Sequence, residues 1–269
     1  MKVGLIGYGS IGRLLAQAMW DGRAGDATLI AIKDVFEEDP FPQSDDSPIY
    51  TTDIEVFLNA DLDLVVEAAS QAVLRQYAPG VLQRGLDLLA MSVGAFADPA
   101  LLAELTELAR RYRCNILLPS GAIGALDALS AAAIDEMQQV TLTTTKPPAA
   151  LKGVDFLAAQ EVDLDALDAP TCVYEGPAEE AVELFPQNVN VAATLSLAGV
   201  GVKDTQVRIV ADPQATRNTH RVEARGAFGE LRLELNLHPS PHNPKTSYLA
   251  PLSAIRLLKK LSEPIKIGG

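Results

Sequence analysis

The stretch VGLIGYGSIG, residues 3–12, decides the fold of the first half of the chain. Its opening apolar run, Val3 to Ile6, predicts a buried β-strand. A helical pattern of apolar residues follows from about Ile11. Between the two, three glycines satisfy the spacing G-x-G-x-x-G, which is informative only when a strand enters it and a helix leaves it. Both conditions hold here, so the stretch predicts a dinucleotide-binding βαβ unit.

Each glycine of this turn has a separate physical task. Gly7 permits the sharp turn, Gly9 lets a pyrophosphate approach the backbone, and Gly12 lets the helix pack closely on the strand. The amino end of the helix then faces the phosphates, because its peptide N–H groups point towards them. The predicted cofactor-binding residues of the turn are Gly7, Gly9, Ser10, Ile11 and Gly12.

Asp34 closes the second predicted strand, TLIAIKD. A carboxylate at this place accepts hydrogen bonds from the adenosine ribose hydroxyls and repels a 2′-phosphate, which favours NAD over NADP. Lys33 stands beside it and leaves NADP open. The alternative is a glycine-rich turn followed by an incidental surface aspartate.

Short apolar runs alternate with helical patterns as far as about residue 120. This alternation predicts a doubly wound parallel sheet of the Rossmann type, since parallel neighbours need crossover helices that cover both faces. Ligands bind at the carboxyl ends of such strands. Small residues stand at three of these ends, in EAAS (67–70), SVGA (92–95) and PSGAIGA (119–125). We therefore add Ala69, Ser70 and Ala122 to the predicted cofactor-binding set, against the alternative of ordinary turn chemistry.

The pattern changes after residue 120, which makes 1–120 the predicted dinucleotide-binding domain and 121–244 a smaller α+β domain. Residues 149–170 contain prolines and acidic residues and predict a long connection, or a flap. Three strand-like runs between 204 and 237 predict an antiparallel sheet with helices on one face. A final amphipathic helix, within 245–269, is expected to join the first domain.

Composition narrows the class of partner. The chain has 269 residues, a formal net charge of −13 and a sequence pI near 4.6. Nucleic acids and anionic membranes are recognised through positive charge, so a small molecule is the expected partner. We find neither a secretory signal nor a membrane span in the sequence, and two isolated cysteines predict reduced thiols in a cytoplasmic protein. No cysteine or histidine spacing indicates a metal site.

Several segments together resemble one family. LIGYGSIG, EAASQ, SVGAFAD, SGAIGALDA, FPQNVNVAATLSLA, the strand that holds His220, and NPKTSYLA occur in the order found in the L-aspartate dehydrogenases of NAD biosynthesis. The resemblance covers nearly the whole chain. It implies a homodimer that oxidises L-aspartate to iminoaspartate with NAD or NADP. It also implies that Ala122 and Asn190 contact the nicotinamide cofactor and that His220 is catalytic.

The residues are compatible with this chemistry. Removal of a hydride from Cα requires that the amine lose a proton, and histidine is the side chain suited to that task near neutral pH. His238 and His242 lie in a proline-rich turn, whereas His220 lies on a predicted strand that can hold it rigidly. The alternative is a hydrogen-bonded histidine that only stabilises the sheet.

A substrate with two carboxylates needs local donors in so acidic a protein. The segment NPKTS (243–247) is expected to open the last helix, with Asn243 as its cap, and a helix amino end beside a lysine attracts anions. Helix capping and solvation are the alternatives. The predicted substrate-binding residues are Asn188, Lys245, Thr246 and Ser247.

Two further functions stay open at this point. One is a homoserine dehydrogenase or another oxidoreductase of the same two-domain plan, because a fold does not fix a substrate. The other is a module that binds NAD without catalysis.

Overall fold

The apolar run that precedes the glycine turn forms the central strand of a parallel sheet. The computed structural model describes residues 1–37, 40–41, 47–185, 189–241 and 243–267, with the backbone alone at 189, 244 and 245. Val3, Leu5 and Ile6 are buried because helices cover both faces of their strand. The chain divides into two units, residues 1–119 with 251–267 and residues 120–250.

The first unit contains a six-stranded sheet with helical crossovers, as the sequence predicts. Its strands are β1 (Lys2–Ile6), β2 (Thr28–Lys33), β3 (Ile49–Thr51), β4 (Leu64–Glu67), β5 (Asp87–Ala90) and β6 (Ile116–Leu117). Its helices are α1 (Ser10–Trp20), α2 (Ile54–Leu58), α3 (Gln71–Gln83) and α4 (Pro99–Tyr112). The spatial order β3-β2-β1-β4-β5-β6, parallel throughout, is that of the Rossmann fold. The predicted fold class is confirmed.

The second unit is built on a mixed five-stranded sheet. Its helices are α5 (Leu126–Ala132), α6 (Asp155–Ala159), α7 (Ala178–Leu184) and α8 (Val189–Ala198). Its strands are β7 (Met137–Lys146), β8 (Thr171–Pro177), β9 (Thr205–Ala211), β10 (Asn218–Gly226), β11 (Gly229–Leu237) and a separate pair, β12 (Pro239–Ser240) with β13 (Asn243–Ser247).

The order of the larger sheet corrects one prediction. Strand β7 lies between β9 and β10 and runs parallel to β9, so the three later strands do not form a purely antiparallel sheet. Alternation along β10 still separates a buried face, with His220, Val222 and Ala224, from a face of two exposed arginines and one half-buried glutamate. Helices α5, α7 and α8 contribute apolar side chains to the buried face.

The segment at 149–170 packs on this unit's core rather than standing away as a flap. Leu151, in a short 3₁₀ turn, and Leu157, in α6, are both buried in the cluster formed by the sheet and its helices. The acidic residues of the segment are exposed; Asp165, for example, pairs with Lys152.

The last helix, α9 (Leu249–Ser262), begins later than the sequence suggests. The predicted opening segment, 243–247, is strand β13, because it pairs with β12; the proposed cap at Asn243 is therefore wrong. At the start of α9, the Ser247 Oγ accepts a hydrogen bond from the Leu249 N–H at 3.3 Å. Residues 251–267 belong to the first unit, in which Ser262 Oγ accepts a hydrogen bond from the Asp26 N–H. No described helix is long and apolar enough to cross a bilayer.

Candidate active site

The glycine turn has the geometry that a dinucleotide needs. Gly7 has φ +95°, a conformation that favours glycine, and a Cβ there would lie 2.8 Å from the Ala69 Cβ. A Cβ on Gly12 would lie 2.0 Å from the Gly7 carbonyl oxygen, so helix α1 packs directly on the turn. A Cβ on Gly9 would meet no described atom within 4 Å. The open backbone at Gly9 and the amino end of α1 at Ser10 and Ile11 fit a pyrophosphate.

Asp34 lies at the mouth of this turn. Its carboxylate accepts hydrogen bonds from the Tyr8 N–H and from the Val35 N–H, so the end of β2 is tied to the loop that would hold the phosphates. Lys33 points elsewhere: its side chain is buried, and its Nζ lies 4.9 Å from the centre of the Tyr77 ring. The cation that left NADP open is therefore held by a neighbouring aromatic ring.

A buried carboxylate ties the next two strand ends together. Glu67, the last residue of β4, accepts hydrogen bonds from the Ala69 N–H at 2.8 Å and the Ser92 N–H at 3.0 Å, and from the Ser92 hydroxyl at 2.9 Å. Burial raises the pKa of Glu67, against donors that lower it. Ser70 caps α3, where its Oγ accepts from the Val73 N–H. Glu67 is not among the residues predicted from the sequence, although a charged residue at the end of an otherwise apolar strand is a signal for such a role.

In the second unit, His220 is held in the covered face of the sheet. It is 5% exposed, and its Nδ1 lies 3.0 Å from the Thr144 Oγ1 on the adjacent strand β7. Burial, and next the charge of Lys146, lower the pKa of His220 to about 4. The imidazole is therefore neutral at pH 7, the form that can accept a proton.

The segment that holds Ala122 lies near this histidine. Ala122 itself is buried, and a Cβ on Gly124 would lie 3.9 Å from Leu235 Cδ1. Leu235 is the residue of β11 that pairs with His220. Gly124, two residues after the predicted cofactor contact, and the predicted catalytic residue thus both neighbour Leu235 in the same unit.

Asn190 lies in the first turn of α8 and is exposed, and its carbonyl oxygen accepts a hydrogen bond from the Thr194 hydroxyl. Ala192, two residues further along, and Thr144 line the same small cavity between sheet and helix. The start of α8 and the histidine's hydroxyl partner therefore lie close together.

The structure describes only part of the predicted substrate-binding set. Asn188 lies outside the described residues, as does the side chain of Lys245. Thr246 is half-buried in β13, and Ser247 is buried with its hydroxyl directed to α9. Their role in substrate binding stays a prediction. Within the described ranges, no group of three or more histidine, cysteine, aspartate or glutamate residues could hold a metal ion.

Comparison with known proteins matches both units. The family profile "Aspartate dehydrogenase, C-terminal" matches residues 127–261, and "Homoserine dehydrogenase, NAD binding domain" matches residues 7–119. The chain is 44% identical to an L-aspartate dehydrogenase of Methanocella arvoryzae, with 99% of each chain covered. It is 43% identical to that of Methanosarcina barkeri, over 100% of this chain and 99% of the relative. The crystal structure of aspartate dehydrogenase from Thermotoga maritima superposes with a TM-score of 0.77 at 30% identity, over 100% of this chain and 99% of that one.

Proposed function

Because the chain belongs to the L-aspartate dehydrogenase family, we propose that it oxidises L-aspartate to iminoaspartate with NAD(P)⁺, a reaction that feeds NAD biosynthesis. Hydrolysis of the imine gives oxaloacetate and ammonia. One observation carries the assignment of roles: a buried, neutral histidine shares its unit and a neighbouring residue with the segment around Ala122.

The first unit would hold the cofactor. Gly7, Gly9 and Gly12, with the helix end at Ser10 and Ile11, would bind the pyrophosphate. Asp34 would accept hydrogen bonds from the adenosine ribose, and Ala69 and Ser70 would line the path towards the nicotinamide. In the second unit, Ala122 and Asn190 would contact the nicotinamide end. Bound NAD(P)⁺ supplies the acceptor for the hydride that leaves Cα.

His220 would remove the proton from the substrate's α-ammonium group. In the tautomer suited to this task, Nδ1–H donates to the Thr144 Oγ1, which leaves the Nε2 lone pair as the base. The donated hydrogen bond also fixes the plane of the ring. After the hydride has left and the imidazolium has released its proton to solvent, the same imidazole can take a proton from the water that attacks the imine.

We further propose NAD rather than NADP as the preferred cofactor. The Asp34 carboxylate lies at the turn, where it would repel a 2′-phosphate, and Lys33 is held against Tyr77. Asn188, Lys245, Thr246 and Ser247 are proposed to contribute donors to the substrate's carboxylates. A homodimer in the cytoplasm is proposed from the family; the free Cys114 and Cys172 are compatible with a reducing compartment.

The test is a direct assay of reduced nicotinamide at 340 nm, with L-aspartate and L-homoserine as alternative substrates and NAD⁺ and NADP⁺ as alternative cofactors. Turnover of aspartate, with a higher kcat/KM for NAD⁺, is expected. Activity on homoserine alone would select the homoserine dehydrogenase alternative, and tight NAD binding without turnover of either would indicate a sensing module. His220→Ala should lower kcat by about 10² to 10⁴ without change in NAD affinity. The control His238→Ala, at an exposed position, should leave kcat unchanged.

A further inference from the structure

Arg13 places a positive charge on the glycine turn. It lies in the first turn of α1, one position after Gly12, and its side chain is exposed. Its Nε donates a hydrogen bond to the Tyr8 carbonyl oxygen at 3.1 Å, and its Cζ lies 5.3 Å from the centre of the Tyr8 ring. The side chain therefore folds back from the helix onto the loop that is expected to hold the phosphates.

Tyr8 lies between this cation and an anion. Its N–H donates to the Asp34 carboxylate, whereas its carbonyl oxygen accepts from Arg13. Burial raises the pKa of the Tyr8 phenol, and the Arg13 charge opposes that rise, so the guanidinium acts electrostatically on the turn. A dinucleotide presents groups that match both charges. Its ribose hydroxyls can donate to Asp34, and its phosphate oxygens can accept from Arg13.

The amino end of α1 carries positive charge that its own residues do not offset. Both contacts of the guanidinium with described residues are to Tyr8, which is uncharged at neutral pH. The helix begins without a side-chain cap, and its first turn contains no acidic residue. A cation at this end of a helix is unfavourable, because the peptide N–H groups there already carry partial positive charge. A bound anion would offset that repulsion.

Two other basic residues of the same sheet region are engaged elsewhere. Lys33 is buried, with its Nζ over the Tyr77 ring, and Lys2, at the opposite end of β1, pairs with Asp61. Of these three cations, Arg13 alone combines an exposed side chain with a contact to the glycine turn. In a chain with a net charge of −13, an anionic ligand depends on such a local cation.

We propose that the Arg13 guanidinium binds a phosphate group of the dinucleotide. The proposal rests on the proposed function and adds a side chain to its cofactor site. A guanidinium can offer parallel N–H donors to phosphate oxygens. Because Nε is engaged by Tyr8, the terminal Nη groups are the donors for the ligand. The phosphate is either the pyrophosphate, which NAD and NADP share, or the 2′-phosphate of NADP.

The test measures the Kd of NAD⁺ and of NADP⁺ for the full-length protein by isothermal titration calorimetry, without aspartate. Arg13→Met keeps an unbranched apolar side chain over Tyr8 and removes the charge. We expect both Kd values to rise at least about tenfold, as for the loss of a charge-assisted hydrogen bond. A rise for both assigns Arg13 to the pyrophosphate, and a rise for NADP⁺ alone assigns it to the 2′-phosphate. Two Kd values within about twofold of wild type would overturn the proposal.

Arg23→Met is the matched control. Arg23 is exposed like Arg13 but pairs with Asp21 at the other end of α1, so its loss should leave both Kd values as in wild type. Should Arg13→Met fail to fold, Arg13→Gln takes its place, since its amide can still donate to the Tyr8 carbonyl oxygen.

The salt dependence of binding separates a phosphate contact from a role in bracing the turn. The Kd of NAD⁺ should rise with ionic strength in wild type, and less steeply in Arg13→Met, because salt screens an exposed charge pair. Equal salt dependence would show that Arg13 only holds the Tyr8 carbonyl, and would overturn the proposal. Wild type that binds NAD⁺ without oxidising aspartate would contradict the proposed function and leave the Arg13 assignment standing.

Discussion

At the scale of single residues, His220 shows how burial prepares a side chain for a reaction. Its place in the covered face removes water from the imidazole, and Lys146 adds a repulsive charge, so the neutral form predominates. Neutrality is what a proton acceptor needs. The same burial makes the residue a contributor to the pH dependence of stability.

That contribution has a definite sign. The pKa of His220 is about 4 in the folded chain and about 6.5 in the unfolded chain, so between these values the unfolded chain binds more protons. The stabilising effect is therefore fully present above pH 6.5 and is lost as the pH falls towards 4, by roughly 3 kcal/mol in total. Denaturant unfolding from pH 7.5 to 4 measures it.

His220→Gln should flatten that part of the pH profile, whatever its effect on stability at pH 7. The exposed His238→Gln serves as the matched control and should leave the profile as in wild type. A wild-type profile that runs parallel to that of His220→Gln would show that the imidazole titrates normally and is not buried as described.

At the scale of elements, the glycine turn contains glycines with two different roles. Gly12 supports the packing of α1, since a Cβ there would meet the Gly7 carbonyl oxygen, whereas a Cβ on Gly9 would meet no atom of the described residues within 4 Å. Gly9→Ala should therefore have the same Tm as wild type. It should bind NAD at least about tenfold more weakly, because its methyl group would occupy the place of the pyrophosphate.

Gly12→Ala should also lose stability, by about 1–3 kcal/mol, because the new methyl group forces the helix away from the strand. Thermal unfolding with and without NAD distinguishes the two variants. Equal loss of stability in both, or full NAD affinity in Gly9→Ala, would contradict the roles assigned to the turn.

Glu67 connects the ends of β4 and β5, and its hydrogen bonds lead us to a further prediction. All four donors, the N–H groups of Ala69, Ser70 and Ser92 and the Ser92 hydroxyl, can donate to the side chain. In Glu67→Gln one oxygen becomes an NH₂ group that faces donors, which should cost about 1–3 kcal/mol of unfolding free energy and weaken NAD binding. The exposed Glu104→Gln is the control. Wild-type stability in Glu67→Gln would show that the two strand ends do not depend on this carboxylate.

At the scale of the whole molecule, what the sequence predicts well is what depends on neighbours along the chain. The turn from Gly7 to Gly12 and the alternation of strands and helices are local patterns, and they led to the Rossmann fold. The resemblance added Asn190 and the catalytic role of His220, and it supported Ala122, which the small residues at the strand ends already suggested. Alternation along QVTLTTTK could have placed Lys146 inward, but its position beside His220 arises only when β7 pairs with a strand some 75 residues later.

The predictions that the structure corrects failed because they depend on contacts between segments that are distant along the chain. The insertion of β7 between β9 and β10 cannot be seen in the order of strands along the chain. NPKTS resembled the start of a helix because polar residues precede an apolar pattern, yet its pairing with β12 makes it a strand. The segment at 149–170 resembled a flap because its acidic residues are frequent, whereas Leu151 and Leu157 anchor it to the core.

The most direct measurement follows the hydrogen on the substrate's Cα. L-Aspartate deuterated at Cα is incubated with the wild-type protein and NAD⁺, and the NADH formed is analysed by mass spectrometry. The hydride leaves Cα for the nicotinamide in the proposed reaction, so the NADH should carry one deuterium and appear with one equivalent each of oxaloacetate and ammonia. Unlabelled NADH, or no NADH at all, would contradict the proposed oxidation of aspartate.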